Sequence, residues 1–356
     1  MPDEVQLLRE LVAIPSVSGE EDALAGFLEQ TVRGWGLEVT RDDAAVRVEL
    51  CGRAPGATIA LVSHLDVVPP GSGWTRDPFT PTVEGGRLYG RGSGDAKASV
   101  TAMLCAANDL SESGGLECGR LLVLLGYGEE TKNTTMERAV ARAGPIDASV
   151  VGEPTNLELA IAQRGLLMAD LVAQGDQRHA GYAAADGEFT NATLVLARDL
   201  LRLGDLFGSR SHPVLGQTVA TPTMLEAGVS RNVTPPVAKA VLDIRSTPDW
   251  SHGEITDLLQ RTLASKVVVT SHRLVPCETP PGSRLLAAAR RVRPQAGTFG
   301  SPTCSDWVFL RHTDAVKCGP GTSRRSHTPD EYVDLVEVTA AREFYARLVT
   351  AYLGEQ

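Results

Sequence analysis

Short apolar runs that are followed, at once or within a few residues, by acidic or imidazole residues constrain the fold of this chain more than any other feature of its sequence. The runs and the residues after them are 58–63 with His64 and Asp66, 121–125 with Glu129 and Glu130, and 148–152 with Glu153. Such runs are typical of buried β-strands, and open α/β sheets bind ligands outside the carboxyl ends of their strands. The pattern therefore predicts an α/β fold with a functional site at one end of the sheet. Carboxylate and imidazole side chains there favour a divalent cation over a nucleotide.

The order of the predicted elements divides the chain into two domains. Strand and helix signals alternate up to about residue 153, as expected for a sheet covered by helices on both faces. The order then becomes strand, helix, strand, strand, helix, strand, which fits a small α+β sandwich with one exposed sheet edge. The segments are 166–172, 191–203, 219–225, 238–244, 251–263 and 267–272. Residues 276–281 form a predicted linker. We therefore predict an α/β domain built from 1–165 and 276–356, with an inserted domain at 166–275.

The segment before the second predicted helix carries a local capping signal. Ser18 is followed three positions later by Glu21, at the start of an amphipathic stretch that extends towards Gly34. In a capping box the serine side chain bonds the glutamate amide, and the glutamate carboxylate bonds back to the serine amide. The spacing therefore predicts a capping box at the start of this helix.

Charge and cysteine content limit the class of protein and its partners. Lys plus Arg number 34 against 44 for Asp plus Glu, a formal charge of −10, which argues against nucleic acid and anionic membranes as partners. The six cysteines are scattered without the spacing of a disulfide framework, which predicts reduced thiols in a cytoplasmic protein. The first residues lack the pattern of a signal peptide, and no apolar stretch of the sequence approaches the length of a membrane span.

Each candidate site residue has a structural alternative when it is considered alone. A pair such as His64 and Asp66 can set a carboxylate against the far ring nitrogen of a metal-binding histidine, or form a surface ion pair at a strand end. Asp95 follows a glycine-rich turn, where it could bridge two cations or cap a helix; a phosphate loop fits its charge poorly. Adjacent acids such as Glu129 and Glu130 are commonly only solvated, although one could bind a metal while its neighbour acts as a general base.

The residues around two further histidines do not indicate whether these histidines have a role in a site. His327 lies in a Gly/Pro-rich segment, where a single histidine is usually exposed, and His179 is ambiguous on its chemistry alone. A serine hydrolase is a poor alternative, because no GxSxG motif follows a predicted strand. No cysteine is placed for a Cys/His pair either.

Taken together, these motifs resemble those of the M20 metallopeptidases, the relatives of acetylornithine deacetylase, succinyl-diaminopimelate desuccinylase and glutamate carboxypeptidase. The matching segments, in family order, are 63–69, 74–79, 88–97, 129–130, 152–155 and 326–331. The resemblance extends over essentially the whole chain. It implies a mixed-sheet zinc-hydrolase catalytic domain, with the inserted α+β sandwich as a lid and dimerisation domain.

The resemblance also implies roles for individual residues. The implied metal ligands are His64, Asp95 and Glu153 for one divalent cation, and Asp95, Glu130 and His327 for the other. Glu129 would be the general base, Asp66 would support His64, and His179 would reach the oxyanion of the scissile carbonyl, often from the partner subunit. The implied substrate-binding residues are Arg164, Asn232, Arg245, Thr303 and Ser323.

The activity implied by the resemblance is metal-dependent hydrolysis of the amide bond of a small N-acyl amino acid. The mixed nitrogen and oxygen ligands favour Zn²⁺, with Co²⁺ or Mn²⁺ as alternatives. Segments 300–306 and 319–327 are most similar to those of acetylornithine-deacetylase-like members, which favours N-acetylornithine and arginine biosynthesis. Alternative substrates are N-succinylornithine, N-succinyl-diaminopimelate and an amino-group carrier protein loaded with lysine or ornithine. A non-catalytic binding protein is the alternative of another class, although it would not need Glu129. We expect a cytoplasmic homodimer joined through residues 166–275.

Overall fold

The computed structural model describes residues 2–131, 133–182 and 189–354, and it divides into two compact units. The first unit contains the residues up to Ile161, Thr279–Phe299 and the residues from Ser305 onward, and the second contains Ala162–Glu278 and Gly300–Cys304. The first unit is therefore discontinuous in sequence. Gly300–Cys304 lie outside the insertion that we predicted at 166–275.

The described residues form eight α-helices and sixteen β-strands. The helices are α1 (Glu4–Ala13), α2 (Asp22–Gly34), α3 (Lys97–Glu112), α4 (Thr134–Ala143), α5 (Ala192–Arg202), α6 (His252–Thr262), α7 (Arg284–Val292) and α8 (Leu335–Leu353). The strands are β1 (Glu38–Arg41), β2 (Ala45–Cys51), β3 (Ala54–His64), β4 (Thr82–Glu84), β5 (Arg87–Tyr89), β6 (Cys118–Gly126), β7 (Ala148–Val151), β8 (Leu159–Gln163), β9 (Gly165–Gln174), β10 (Val219–Ala227), β11 (Val237–Ser246), β12 (Lys266–Leu274), β13 (Cys277–Glu278), β14 (Thr298–Ser301), β15 (Asp314–Lys317) and β16 (Tyr332–Asp334). None of these helices is both long enough and apolar enough to cross a membrane.

The first unit is built around a mixed β-sheet with the strand order β1-β2-β6-β3-β7-β15-β8. The central strands β6, β3, β7 and β15 are parallel, whereas β1, β2 and β8 pair in the antiparallel sense. The last residues of β8, Ala162 and Gln163, belong to the second unit and pair there with β13. The mixed sheet confirms the predicted α/β fold.

Both faces of the central strands are covered. Consecutive residues of β3 and β6, Ile59–Val62 and Leu121–Leu125, are fully buried, and α3 is also buried along most of its length. Strands that are buried on both faces appear in a sequence as continuous apolar runs. This burial explains why β3 and β6 are recognisable from the sequence alone.

The second unit contains a four-stranded antiparallel sheet with the order β10-β11-β9-β12. Its element order, β9-α5-β10-β11-α6-β12, is the predicted one. Leucine and isoleucine side chains of α5 and α6 share a core with alternate residues of β9 and β11. β10 forms one edge of the sheet and is almost entirely exposed. The linker predicted at 276–281 is partly wrong, because Cys277–Glu278 form strand β13.

The capping box predicted at the start of α2 is wrong. α2 begins at Asp22, and its N-cap residue Glu21 makes no side-chain hydrogen bond to the helix. The Ser18 hydroxyl instead donates to Asp66, and the Glu21 carboxylate accepts a hydrogen bond from the amide of Gly128. Both side chains therefore form hydrogen bonds with residues that are far away in the sequence.

Candidate metal centre

The candidate site lies where the four parallel strands of the first unit end. The strands and the residues they lead into are β3 with His64, β6 with Glu129 and Glu130, β7 with Glu153, and β15 with the segment that carries His327. Asp95 lies two residues before α3. Parallel strands bring residues that are distant in sequence to the same end of a sheet, which is where ligands bind in folds of this class.

His64 presents one ring nitrogen to the acidic residues and the other to its own strand end. Its Nδ1 lies 3.0 Å from the backbone oxygen of Asp66 and 3.4 Å from the Asp66 carboxylate. These contacts favour a proton on Nδ1 and leave Nε2 as the ring nitrogen that would bind a metal. Nε2 lies 3.2 Å from Oδ1 of Asp95 and 3.8 Å from Oε1 of Glu153.

Asp95 lies between two histidines. Its Oδ1 is 3.2 Å from Nε2 of His64, and its Oδ2 is 3.7 Å from Nε2 of His327. Nε2 of His327 is also 2.8 Å from Oε1 of Glu130. One potential ligand atom from each of His64, Asp95 and Glu130 lies within 4.8 Å of the others. A carboxylate that offers one oxygen to each of two imidazoles has the geometry of a ligand shared by two cations.

Asp66 holds the loop after β6 against the end of β3. Its Oδ1 accepts a hydrogen bond from the amide of Glu129 at 2.9 Å, and its Oδ2 accepts one from the amide of Glu130 at 3.0 Å. Burial disfavours a charged Asp66, but its hydrogen bond with His64 and further donors hold its pKa below the usual range. Asp66 therefore stays ionised and supports both His64 and the two glutamates.

The concentration of acids shifts the pKa values of the site. Burial, and next the negative charge of Glu153, raises the pKa of Glu129 well above its usual value. Burial and the charge of Asp95 raise the pKa of Glu153 to about 8. Burial disfavours a charged His64, yet hydrogen bonds with Asp66 and Asp95 hold its pKa well above the usual value. Carboxylates buried this closely are costly to keep ionised, and a bound divalent cation would offset that cost.

The donor atoms fit two divalent cations. They are imidazole nitrogens and carboxylate oxygens, the ligands that zinc, cobalt and manganese accept. One cation would have His64, Asp95 and Glu153 as ligands, and the second would have Asp95, Glu130 and His327. Three protein ligands for each cation leave positions open for water and substrate.

A buried acid to which the sequence analysis assigned no role organises the turn before α3. The Glu331 carboxylate accepts hydrogen bonds from the amides of Gly92, Gly94 and Asp95 at 3.1, 3.0 and 3.0 Å. It also accepts one from the Arg91 guanidinium at 2.6 Å. Glu331 belongs to the motif at 326–331, but nothing in its spacing indicates which turn it contacts. Its effect is to fix the backbone that carries Asp95.

The two arginines predicted to bind a substrate carboxylate already have partners within the second unit. The Arg164 guanidinium donates to the backbone oxygens of Leu215, Gln217 and Arg245. Arg245 forms a two-point ion pair with Asp243, at 2.7 and 3.0 Å. A substrate carboxylate would compete with these contacts, so the role of both arginines in substrate binding stays a prediction.

The other residues predicted to bind the substrate or its oxyanion are divided between the two units. The second unit holds His179, Asn232 and Thr303. His179 and Asn232 are neighbours, because the backbone oxygen of Asn232 accepts a hydrogen bond from the amide of Ala180 at 2.7 Å. Ser323 lies in the first unit, where its hydroxyl donates to the backbone oxygen of Pro154 at 2.9 Å. That bond ties the segment before His327 to the residue after Glu153.

Comparison with known proteins identifies a family. The family model described as peptidase family M20/M25/M40 matches residues 60–351. Succinyl-diaminopimelate desuccinylase 2 of Ruegeria sp. (strain TM1040) is 30% identical, over 99% of this chain and 96% of that protein. Succinyl-diaminopimelate desuccinylase of Xanthomonas euvesicatoria pv. vesicatoria (strain 85-10) is also 30% identical, over 100% of both chains.

Solved structures share the fold over nearly the whole length. A tripeptidase from Staphylococcus aureus superposes with a TM-score of 0.83 at 18% identity, over 99% of this chain and 98% of that one. A dinuclear metal binding peptidase of the M20 family from Bacillus subtilis superposes with a TM-score of 0.76 at 16% identity, over 99% and 98%. At such identities the likeness is one of fold.

Proposed function

Because this chain belongs to the peptidase family M20/M25/M40 and is a metal-dependent amidohydrolase, we propose that it hydrolyses the amide bond of an N-acyl amino acid at a two-metal centre. The observation that carries the proposal is the position of Asp95, whose two carboxylate oxygens face His64 and His327 separately. Asp95 would be a ligand of both cations, with His64 and Glu153 for one and Glu130 and His327 for the other, and the cations would supply Lewis-acid catalysis of hydrolysis.

In the proposed reaction the cations and the protein side chains have different roles. Bound divalent cations supply Lewis-acid activation of water and of the amide carbonyl; zinc is the cation we propose, with cobalt or manganese as alternatives. Glu129 takes a proton from the attacking water and returns it to the nitrogen of the leaving amine. Asp66 holds Glu129 in place through the Glu129 amide. His179 is the residue we propose to stabilise the oxyanion.

The acyl group that we propose is succinyl. Support comes from the curated relatives, which are named succinyl-diaminopimelate desuccinylase and are 30% identical over nearly the whole chain. N-Acetylornithine, predicted from segments 300–306 and 319–327, has no specific support from these relatives and remains the second candidate.

A substrate panel tests the activity and the acyl group together. The protein is supplied with zinc or cobalt and given the N-acetyl and N-succinyl forms of ornithine, citrulline, lysine and diaminopimelate, and release of the free amino acid is measured. We expect kcat/KM to be highest for an N-succinyl compound, with N-succinyl-diaminopimelate first. A preference for N-acetylornithine would support the second candidate instead. Release from none of the compounds, by protein that has bound metal, would contradict the proposed function.

We also propose that the protein is a homodimer joined through the second unit. The exposed edge strand β10 and the helix α5 carry large apolar side chains at the surface. The exposed fractions are 47% for Val219, 67% for Met224, 64% for Leu225, 52% for Leu194 and 82% for Leu201. An unpaired strand edge with apolar side chains is a surface that proteins normally cover. A second copy of the same edge, related by a two-fold axis, would cover it.

The dimer is tested by charging this surface. The double variant Met224→Asp/Leu225→Asp should sediment as a monomer in analytical ultracentrifugation, because dimerisation would bury the new carboxylates. Val336→Asp is the matched control, since Val336 is 75% exposed on α8 of the first unit. A double variant with the same sedimentation coefficient as the unmodified protein would exclude β10 from the interface.

A further inference from the structure

The segment before α2 runs alongside the residues that follow His64. The amide of Val67 donates to the backbone oxygen of Ser16 at 2.9 Å, and the amide of Ser18 donates to the backbone oxygen of Val67 at 3.2 Å. These two bonds place the Ser18 side chain beside the buried carboxylate of Asp66. The Ser18 hydroxyl donates to Oδ2 of Asp66 at 2.7 Å. Ser18 is therefore a direct partner of a residue that supports the candidate metal centre.

Glu21 connects the same segment to the loop after β6. Its Oε1 accepts a hydrogen bond from the amide of Gly128 and its Oε2 accepts one from the amide of Gly19, both at 3.0 Å. The Glu21 side chain is buried, with 7% of the residue exposed, so solvent does little to replace a lost bond. Both hydrogen bonds are partly buried, so an amide that loses its Glu21 acceptor is only incompletely compensated by water.

Three consecutive backbone amides of this loop thus each donate a hydrogen bond to a carboxylate. The Gly128 amide is bound by Glu21, and the amides of Glu129 and Glu130 are bound by the two oxygens of Asp66. The Oδ2 atom that binds Glu130 is the one that also accepts the Ser18 hydroxyl. Ser18 and Glu21 therefore act on one loop, Ser18 through Asp66 and Glu21 directly.

We propose that Ser18 and Glu21 are positioning residues that hold residues 128–130, and with them the Glu129 and Glu130 carboxylates, at the metal centre. The inference rests on the proposed function in one respect, namely the roles of Glu129 as base and Glu130 as ligand. Ser18 fixes the orientation of the Asp66 carboxylate, and Glu21 fixes the start of the loop. Outer partners of this kind orient the groups that touch the metal and the substrate.

Two substitutions test the inference without removing any proposed ligand. Ser18→Ala deletes the hydroxyl and leaves the net charge unchanged, and Glu21→Gln replaces one of two acceptor oxygens by a donor. We expect faster hydrogen–deuterium exchange in a peptide that covers residues 126–131 of the metal-free protein. We also expect zinc affinity and kcat each to fall by about 10- to 100-fold, with a much smaller change in KM. Ser18→Thr, which keeps the hydroxyl, should restore all three quantities.

Matched controls separate positioning from general effects of charge and stability. Glu20→Gln removes the same charge one position away at an exposed residue, so it measures the effect of net charge on zinc affinity. Ser16→Ala removes a buried hydroxyl that donates to the backbone oxygen of Leu65 at 2.7 Å, so it measures loss of stability in the same segment. Neither control should change exchange in residues 126–131 or lower kcat by more than about twofold, well below the range expected for outer partners.

The alternative is that Glu21 only stabilises the turn before α2, through its hydrogen bond with the amide of Gly19. In that case Glu21→Gln would speed exchange in the turn at residues 18–21 and lower the melting temperature, while exchange at 126–131 and zinc affinity stay at their original values. That result would overturn the inference, as would Ser18→Ala with unchanged exchange and affinity. Exchange and zinc affinity need no substrate. Their outcome therefore remains informative even if every compound of the substrate panel is left intact.

Discussion

Glu129→Gln should abolish turnover while the protein retains its metal ions. The substitution keeps the shape of the side chain but removes the group that we propose to accept and return the proton. General base catalysis contributes about 10²- to 10⁴-fold to rates, so we expect kcat to fall at least by that factor. The metal should remain, because the proposed ligands are other residues and because the Glu129 amide still donates to Asp66.

The adjacent residue provides the matched control. Glu130→Gln changes the same functional group one position along the same loop, but it alters the carboxylate that lies 2.8 Å from Nε2 of His327. We expect this variant to lose one of two metal equivalents, measured by elemental analysis after dialysis. If Glu129→Gln lost metal while Glu130→Gln retained it, the two assignments would have to be exchanged. Turnover at the original rate in Glu129→Gln would remove it from the role of base.

Asp95→Asn should remove both cations and reduce activity to background. Asparagine has the same shape, but it is neutral and has only one oxygen, so it cannot face both His64 and His327 with an oxygen as Asp95 does. Loss of a shared ligand weakens both sites at once, whereas loss of an unshared ligand weakens one. Titration of the metal-free variant with zinc should therefore show no binding in the concentration range where the unmodified protein takes up two equivalents.

Asp109→Asn is the control for this experiment. Asp109 lies on α3, the helix that follows Asp95, and its carboxylate pairs with Arg342 at 2.6 Å. The substitution breaks an ion pair and should lower the melting temperature, but zinc stoichiometry and kcat should stay unchanged. Two zinc equivalents bound to Asp95→Asn would rule out the bridging role of Asp95.

The end of the sheet at which the site lies could be predicted from the sequence, because the strands that lead to it are easy to recognise. β3 and β6 are buried on both faces, so they appear as uninterrupted apolar runs, and the polar residues that follow mark where each strand ends. Their convergence with His327 could not be derived from periodicity. It depends on β15 lying beside β7, a contact between distant segments, and His327 was assigned to the site only through the family resemblance.

Other contacts at the site could not be predicted from local sequence patterns. The signature at Ser18 and Glu21 is that of a capping box, yet both side chains bond to residues at 66 and 128. Local spacing cannot distinguish these outcomes, because the same donors and acceptors serve either. Glu331 and Arg164 are similar cases. Glu331 had no predicted role, and Arg164 was assigned to substrate binding only through the family resemblance, whereas the side chain of each bonds backbone groups within its own unit.

The discontinuity of the first unit has a consequence for the order of events during biosynthesis. Strands β3, β6 and β7 leave the ribosome early, but β15 and the segment with His327 follow only after the entire inserted unit has been made. Pairing across so large a separation is slow, and the early strands stay exposed meanwhile. The nascent chain accordingly carries most of the proposed ligands long before the last one arrives. The three proposed ligands of one cation, His64, Asp95 and Glu153, are thus made before the inserted unit, whereas the second proposed set is complete only once His327 has been made.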